Sequence, residues 1–344
     1  MDDTGYFKMV KGMGALNMYI LGLGGSNHDY SACLVKDGEV ICMIDDERIT
    51  RKKYGMGLGM ELAKGFSRKY CLDEAGISLD DVDVIVANDI VNPVIYHHLN
   101  DKVHLINHHL SHAAAAFYPS EWGEAAILVV DGVGSQAEAD GKPLYETVTF
   151  AHGKGTDITV LKKQYGENLP GTEYIENSLG IFYALITEVI GFGEHEEGKT
   201  MGLAPYGTDR LYDEIQKYFR YLGEGRIEMT RKDIEAIKGL KVMVDKEAKP
   251  GAQLALKADI AWAGQKILEN TMIELSNHIY SLTGCQNLCI GGGTGLNSVA
   301  NYKIYKKSKF KNLYIMPATA DNGTAIGAAL YGYHVLKGRP RLLK

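Results

Sequence analysis

Apolar residues in this chain cluster into short dense runs that end at glycine or aspartate. Met18 to Leu23 runs into Gly24-Gly25-Ser26-Asn27-His28-Asp29, which predicts a buried strand delivering a glycine turn. Ala32 to Lys36 and Val40 to Asp45 flank Asp37-Gly38, a strong hairpin signal. A helix is expected over Met60 to Cys71, a strand over Val82 to Val86, and another helix beginning near His108. A second strand-and-turn unit then opens at Ile127-Leu128-Val129-Val130 and enters Asp131-Gly132-Val133-Gly134-Ser135. Strand-like stretches near Glu146–Ala151 and Asp157–Leu161 follow it.

The remaining pattern is mostly helical. Ser178 to Ile190 carries apolar residues at 179, 182, 185, 186 and 189, one face of a 3.6-residue period. Lys257 to Leu282 carries a longer stripe at 260, 263, 267, 268, 272, 275, 279 and 282. Asn287 to Ile290 reads as a strand ending in Gly291-Gly292-Gly293, and Asp321 to Leu336 as a final helix rich in glycine and alanine. Between Gly223 and Gln253 charge is dense and periodicity fades, so this stretch is expected to be the least ordered. Two strand–hairpin–helix units of this kind predict an α/β duplication, with ligands bound in a cleft between two lobes.

Composition narrows the function classes. At 344 residues, 45% hydrophobic and 23% charged, the chain is globular, with room for two lobes. A formal charge of −6 gives no electrostatic footprint for nucleic acid or an anionic membrane. No apolar run approaches a membrane span, and the acidic start Met1-Asp2-Asp3 does not read as a signal peptide. Five cysteines, an odd number set mostly in apolar contexts, point to reduced thiols and a cytoplasmic location. Cys285 and Cys289 lack the second cysteine pair that a zinc site would need. The 40 glycines, against 8 prolines, cluster beside the strands, which suits turns wrapped around phosphate.

Against that background, Asn107-His108-His109-Leu110-Ser111-His112 stands out. On a helix, His108 and His112 share a face one turn apart, where two imidazoles can grip one cation. The same spacing also arises incidentally. Gly193-Glu194-His195-Glu196-Glu197-Gly198-Lys199-Thr200 fits the P-loop pattern G-x-x-x-x-G-K-[ST]. It follows a predicted helix instead of a strand and puts three glutamates where phosphate would sit, so it is not read as a P-loop. Lys199 can still meet a nucleotide from a different backbone. Asp131 and Asp321 each stand where a carboxylate can reach a metal or cap a helix, and spacing leaves both readings of Asp321 open.

Taken in order, the motifs resemble a known family, the NodU/CmcH/TobZ-type O-carbamoyltransferases. The resemblance is carried by His28-Asp29, Asp46-Glu47-Arg48-Ile49-Thr50-Arg51 and the His108 motif, then Asp131-Gly132 and Ser178-Leu179-Gly180. It continues through Gly198-Lys199-Thr200-Met201-Gly202-Leu203-Ala204-Pro205, Gly291-Gly292-Gly293-Thr294-Gly295-Leu296-Asn297 and Asp321-Asn322-Gly323. It implies an α/β fold of the actin/Hsp70/sugar-kinase (ASKHA) class, TsaD-like, with two ribonuclease-H-like lobes and a nucleotide- and metal-binding cleft. The expected layout is an N-terminal extension over 1–17, lobes over 18–120 and 121–336, and a tail over 337–344. It also implies transfer of a carbamoyl group from carbamoyl adenylate, made from carbamoyl phosphate and ATP, to a hydroxyl of a small-molecule acceptor. His108, His112 and Asp321 would then bind a divalent metal, iron favoured. Asp131, Gly132, Gly134, Lys199, Gly292, Gly293 and Asn297 would contact nucleotide, and His28 with Asp29 would act on the acceptor hydroxyl. Full-length members carry a YrdC-like domain that makes the adenylate, where this sequence reaches its end; the expectation is that a separate YrdC-like partner supplies it, that the chain is one domain of something larger, or that it has another activity. The alternative is a non-catalytic nucleotide-binding subunit of a larger complex.

Overall fold

The computed structural model describes residues 17–341. The expected extension therefore lies outside the described residues up to position 16, as do 342–344. The strands predicted around the first glycine turn form β1 (Tyr19–Gly24), β2 (Ser31–Lys36), β3 (Glu39–Asp45), β4 (Val84–Asn88) and β5 (Val103–Ile106). Helices α1 (Phe66–Ala75) and α2 (His108–Phe117) flank β4 and β5 in sequence. The second unit comprises β6 (Glu124–Val130), β7 (Gln136–Ala139), β8 (Lys142–Lys154) and β9 (Asp157–Glu167). After it come α3 (Leu179–Val189), α4 (Glu197–Leu203), β10 (Arg220–Gly223), β11 (Arg226–Glu228), α5 (Arg231–Lys246) and α6 (Pro250–Thr283). The chain closes with β12 (Asn287–Gly291), α7 (Ser298–Lys307), β13 (Asn312–Ile315) and α8 (Thr324–Tyr331).

One sheet topology is used twice. The first sheet runs β3-β2-β1-β4-β5, with β1 antiparallel to β2 and parallel to β4. The second runs β9-β8-β6-β12-β13, with β6 antiparallel to β8 and parallel to β12, and β7 adds to the far end of β8. In each case a hairpin leads away from the central strand on one side, and crossover helices return to it on the other.

Alternation along the strands sorts the core into layers. Leu21, Leu23, Leu34 and Ile85 pack outward against Leu62, Cys71 and Leu72. Ile20, Val35 and Val86 face inward and join Ile127 and Val129 of the second sheet, with the alanines of α2 and α8 between them. Ala126, Leu128 and Val130 face the opposite way, onto α3 and α6. The first sheet is thus covered on its inner face by the chain's last helix. Small residues make that fit possible: a Cβ on Gly22 would stand 1.9 Å from the Ala325 carbonyl oxygen, and one on Gly327 would stand 1.8 Å from that of Ser111. Pressed this closely against β1 and α2, α8 brings the residues at its start to the His108 helix.

Three expectations need correction. The stretch expected to be least ordered carries the last residue of β10, all of β11 and α5, and the first turn of α6. Its apolar seam is narrow, with only Ile234, Ile237 and Val244 buried on α5, and so escapes a periodicity count. The helix expected over 60–71 is two pieces, a 3₁₀ segment Gly59–Lys64 and α1, broken at Gly65 with φ +58°. The last helix is likewise subdivided, with a 3₁₀ turn Asp321–Gly323 before α8 and a π-helical turn Gly332–Leu336 after it. All five cysteines are unpaired, as expected. No helix among the described residues is long and apolar enough to cross a membrane.

A capping box opens α5: the Thr230 hydroxyl accepts from the Asp233 amide, and the Asp233 carboxylate accepts from the Thr230 amide at 2.8 Å. Burial works against the Asp233 charge, but the Arg220 guanidinium and the Thr230 donors outweigh it and hold its pKa below the usual carboxylate range. Thr230→Ala is expected to cost about 1 kcal/mol in urea unfolding. The Asp233 contribution is present above about pH 4 and is lost as pH falls through the lowered native value. The stability gap between wild type and Asp233→Asn should therefore narrow under acid.

Candidate metal centre

The His108 helix begins where it does because the Asn107 side chain caps it, its Oδ1 accepting from the Leu110 amide at 3.0 Å. The His108 amide, otherwise unsatisfied in the first turn, donates to Ser135 Oγ at 2.8 Å and Asp89 Oδ1 at 3.1 Å. Both imidazoles are then fixed in the interior, His108 fully buried and His112 1% exposed. Their Nε2 atoms lie 3.1 Å apart. β6 ends at Val130 and delivers Asp131, whose Oδ2 stands 3.1 Å from His108 Nε2 and 3.3 Å from His112 Nε2. The approach to α8 delivers Asp321, whose Oδ1 stands 3.5 Å and 3.4 Å from the same two atoms.

Four ligand atoms therefore converge, two imidazole nitrogens and two carboxylate oxygens, drawn from α2, the end of β6 and the start of α8. Separations of 3.1–3.5 Å are those expected between neighbouring ligands of one ion with bonds of about 2.0–2.2 Å. The donor set, two imidazoles and two carboxylates, suits a divalent transition metal. His108, His112, Asp131 and Asp321 fit such an ion. The capping alternative for Asp321 is not realised, since its side chain caps nothing. Asp131, expected to contact nucleotide, instead sits among the candidate ligands; its Oδ1 accepts from the Gly293 amide at 2.9 Å, which fixes the carboxylate's orientation. Gly292, at φ +89°, lets this loop pass Val130, whose carbonyl oxygen a Cβ would approach to 2.3 Å.

Without an ion the cluster is held by charge. Burial disfavours the His108 cation, yet Asp321 and Asp131 raise its pKa to about 10; at His112 burial and the His108 charge pull downward, and Asp131 and Asp321 outweigh them to raise it too. Burial likewise opposes the two carboxylate charges, but the histidines hold both well below the usual carboxylate range. His28 lies beside the cluster, its Nε2 4.0 Å from Asp321 Oδ2 and its Nδ1 3.3 Å from Asp29 Oδ2. Burial lowers its pKa, and Asp29, Asp321 and Asp131 more than reverse this, to about 9. A cation at the cluster would oppose these carboxylates and favour the neutral form expected for work on a hydroxyl.

The other expected site residues are spread more widely. The Gly132 carbonyl accepts from Ser178 Oγ at 2.8 Å, and Gly134 lies against the buried His109 ring. Asn297 pairs its amide with that of Gln265 at 2.9 and 3.0 Å and caps α7 through the Ala300 amide. Lys199 is exposed and bound to Glu196. The P-loop-like stretch follows helix α3, and the Glu196 carboxylate accepts from the Gly193 amide at 2.9 Å, so an acidic side chain already fills its turn. Sequence reasoning missed Asp89, Ser135 and Gln265, because their role is to hold other residues and no spacing signals that.

Residues 19–97 and 94–330 match the family described as carbamoyltransferase N-terminus. The chain belongs to this family. It is 31% identical to an uncharacterised Synechocystis protein, over 95% of this chain and 58% of that one. It is 28% identical to nodulation protein NolNO of Sinorhizobium fredii, over 88% of this chain and 46% of the relative. This carbamoyltransferase-family chain thus spans about half the length of these relatives. Among solved structures it resembles full-length HypF in its phosphate- and nucleotide-bound form, with TM-score 0.61, 14% identity and 94% of this chain and 56% of that one covered. It also resembles component A of (R)-2-hydroxyglutaryl-CoA dehydratase from Acidaminococcus fermentans, with TM-score 0.54, 14% identity and coverage of 92% and 98%. These likenesses establish the ASKHA-like fold.

Metal analysis after loading with Fe²⁺ or Mn²⁺ and dialysis should give one ion per chain. Asp131→Asn and His112→Ala should each retain far less, by about 10-fold or more. In the ion-free protein the His108 contribution to stability is complete below about pH 6.5 and lost as pH rises through about 10. The thermal midpoint of the chelated protein should therefore fall across that range.

Proposed function

We propose that this chain transfers a carbamoyl group from carbamoyl adenylate to a hydroxyl of a small-molecule acceptor, with a divalent metal, iron favoured, at the His108–His112–Asp131–Asp321 cluster. The observation that carries this reading is that four-ligand cluster, set where the lobes meet in a chain of the carbamoyltransferase family. The ion would offset phosphate charge and polarise the carbamoyl carbonyl. His28, within reach of the cluster and paired with Asp29, takes the proton from the acceptor hydroxyl as its oxygen attacks the carbonyl carbon. AMP leaves with the electrons of the broken carbon–oxygen bond. The loops carrying Gly132 and Gly292-Gly293 hold the nucleotide through backbone groups, since glycine leaves no side chain between the backbone and a phosphate. The donor is made from carbamoyl phosphate and ATP by a separate YrdC-like partner or by the further length that the relatives possess. The five unpaired thiols favour a reducing compartment.

The test is mass-spectrometric detection of carbamoylated acceptor after incubation of the metal-loaded chain with carbamoyl adenylate, or with carbamoyl phosphate, ATP and a YrdC-like protein. His28→Asn should lower kcat by about 100-fold or more while metal content is retained. Absence of product from the wild-type chain under both conditions, across a broad set of hydroxylated acceptors, contradicts the proposal.

A further inference from the structure

Three rings cluster beside the metal site. The His28 and His195 ring centroids are 4.3 Å apart, those of His195 and Tyr54 are 4.8 Å apart, and those of His28 and Tyr54 are 6.5 Å apart. The cluster of rings spans the cleft: His28 and Tyr54 belong to the first lobe, while His195 lies on the loop between α3 and α4 of the second. Tyr54 Oη donates to the His195 carbonyl at 2.8 Å, and the Asp29 amide donates to the Tyr54 carbonyl at 2.9 Å. The Tyr54 amide is in turn taken up by Glu47 Oε2 at 2.8 Å. Asp29, Tyr54 and His195 hold left-handed backbones, with φ of +57°, +58° and +57°. Non-glycine residues keep that conformation only where their surroundings over-determine it, and such strain gathers at ligand sites.

The same group of rings contains unmet hydrogen-bonding capacity. His195 Nε2 is buried without a hydrogen-bond partner, its nearest carboxylate oxygen, Glu194 Oε1, standing at 3.6 Å; His28 Nδ1 has only its ion-pair contact with Asp29 Oδ2 at 3.3 Å. Leaving such atoms unpaired is costly, and a ligand that pairs them recovers the loss. We propose that His195 is an acceptor-positioning residue, joining His28 across the cleft in an imidazole pair that hydrogen-bonds a polyhydroxylated small molecule at the mouth of the metal cluster. This rests on the carbamoyl-transfer reading above. His28 stands next to the cluster and faces the hydroxyl that reacts. His195, in ring contact with His28 from the other lobe, holds a neighbouring polar group of the same acceptor, and Tyr54 keeps the loop in place.

His195→Gly separates the imidazole from the backbone, because glycine adopts the left-handed conformation without strain. The metal-loaded full chain is assayed with carbamoyl adenylate as donor and with glycerol and methyl β-glucoside as acceptor probes. His195→Gly should raise the acceptor KM by about tenfold, with a much smaller change in kcat and metal content unchanged. His195→Asn, which tolerates the same backbone and keeps a donor, should recover part of the loss. An unchanged KM in His195→Gly, with wild type active, overturns the role of His195 and leaves the transfer reading standing. Lost metal content in His195→Gly also overturns it, by showing that the loop is a structural support. No product from the wild-type chain with either probe, while other acceptors are carbamoylated, overturns the polyhydroxylated acceptor and the role of His195 with it; absence of product across the broad acceptor set overturns the transfer reading itself.

Discussion

The structure depends on one buried compensation of charge. Two imidazoles and two carboxylates share a space from which water is almost entirely excluded. Isolated burial of any one of them would cost several kcal/mol, and none would keep its charge alone. They are tolerable only together, or around a cation. The elements that supply them are therefore bound to one arrangement: α2 from the first lobe, the end of β6 from the second, and the turn before α8 at the far end of the chain. A protein that needed only to fold would gain by filling this space with apolar side chains. Retaining four ionisable groups here is a cost that a bound ion would offset.

The surrounding fold serves to bring those elements to one point. Duplicated sheets place equivalent central strands, β1 and β6, on either side of α2 and α8, so that the loops leaving both strands open into the same cleft. Glycines at the closest crossings remove the bulk that would hold α8 away, and the backbone of the Gly292-Gly293 loop steadies the Asp131 carboxylate. His28 and His195 extend the polar interior outward along the line where the lobes meet. The site is thus graded, from a cluster with almost no exposure to a mouth in contact with solvent.

Much of this was legible in the sequence because it is written in local signals. The glycine turns after apolar runs marked the two central strands, the Asp37-Gly38 hairpin was placed correctly, and the spacing of His108 and His112 put both rings on one face. Asp321 was named through the family resemblance, and its distance of two hundred residues from the histidines defeats any local argument. Asp131 was seen as able to reach a metal but was assigned to nucleotide, since only the packed structure shows that its Oδ2 faces both imidazoles. The order in the stretch before α6 was hidden because a helix that buries three residues and exposes the rest to water looks like a charged linker. Asn297 illustrates the reverse case: a glycine-loop asparagine reads as a ligand contact, while its amide is taken up by Gln265 and the start of α7.

The central claim is that His108, His112, Asp131 and Asp321 hold one ion between the lobes. It is tested most directly by anomalous diffraction from crystals of the chain grown with Fe²⁺ and an adenine nucleotide. The account predicts a single anomalous peak bonded to both Nε2 atoms and to one oxygen of each aspartate, at about 2.0–2.2 Å, with a nucleotide phosphate on an open position. A crystal that binds nucleotide while the four side chains pair only with one another, with no anomalous peak among them, would contradict it.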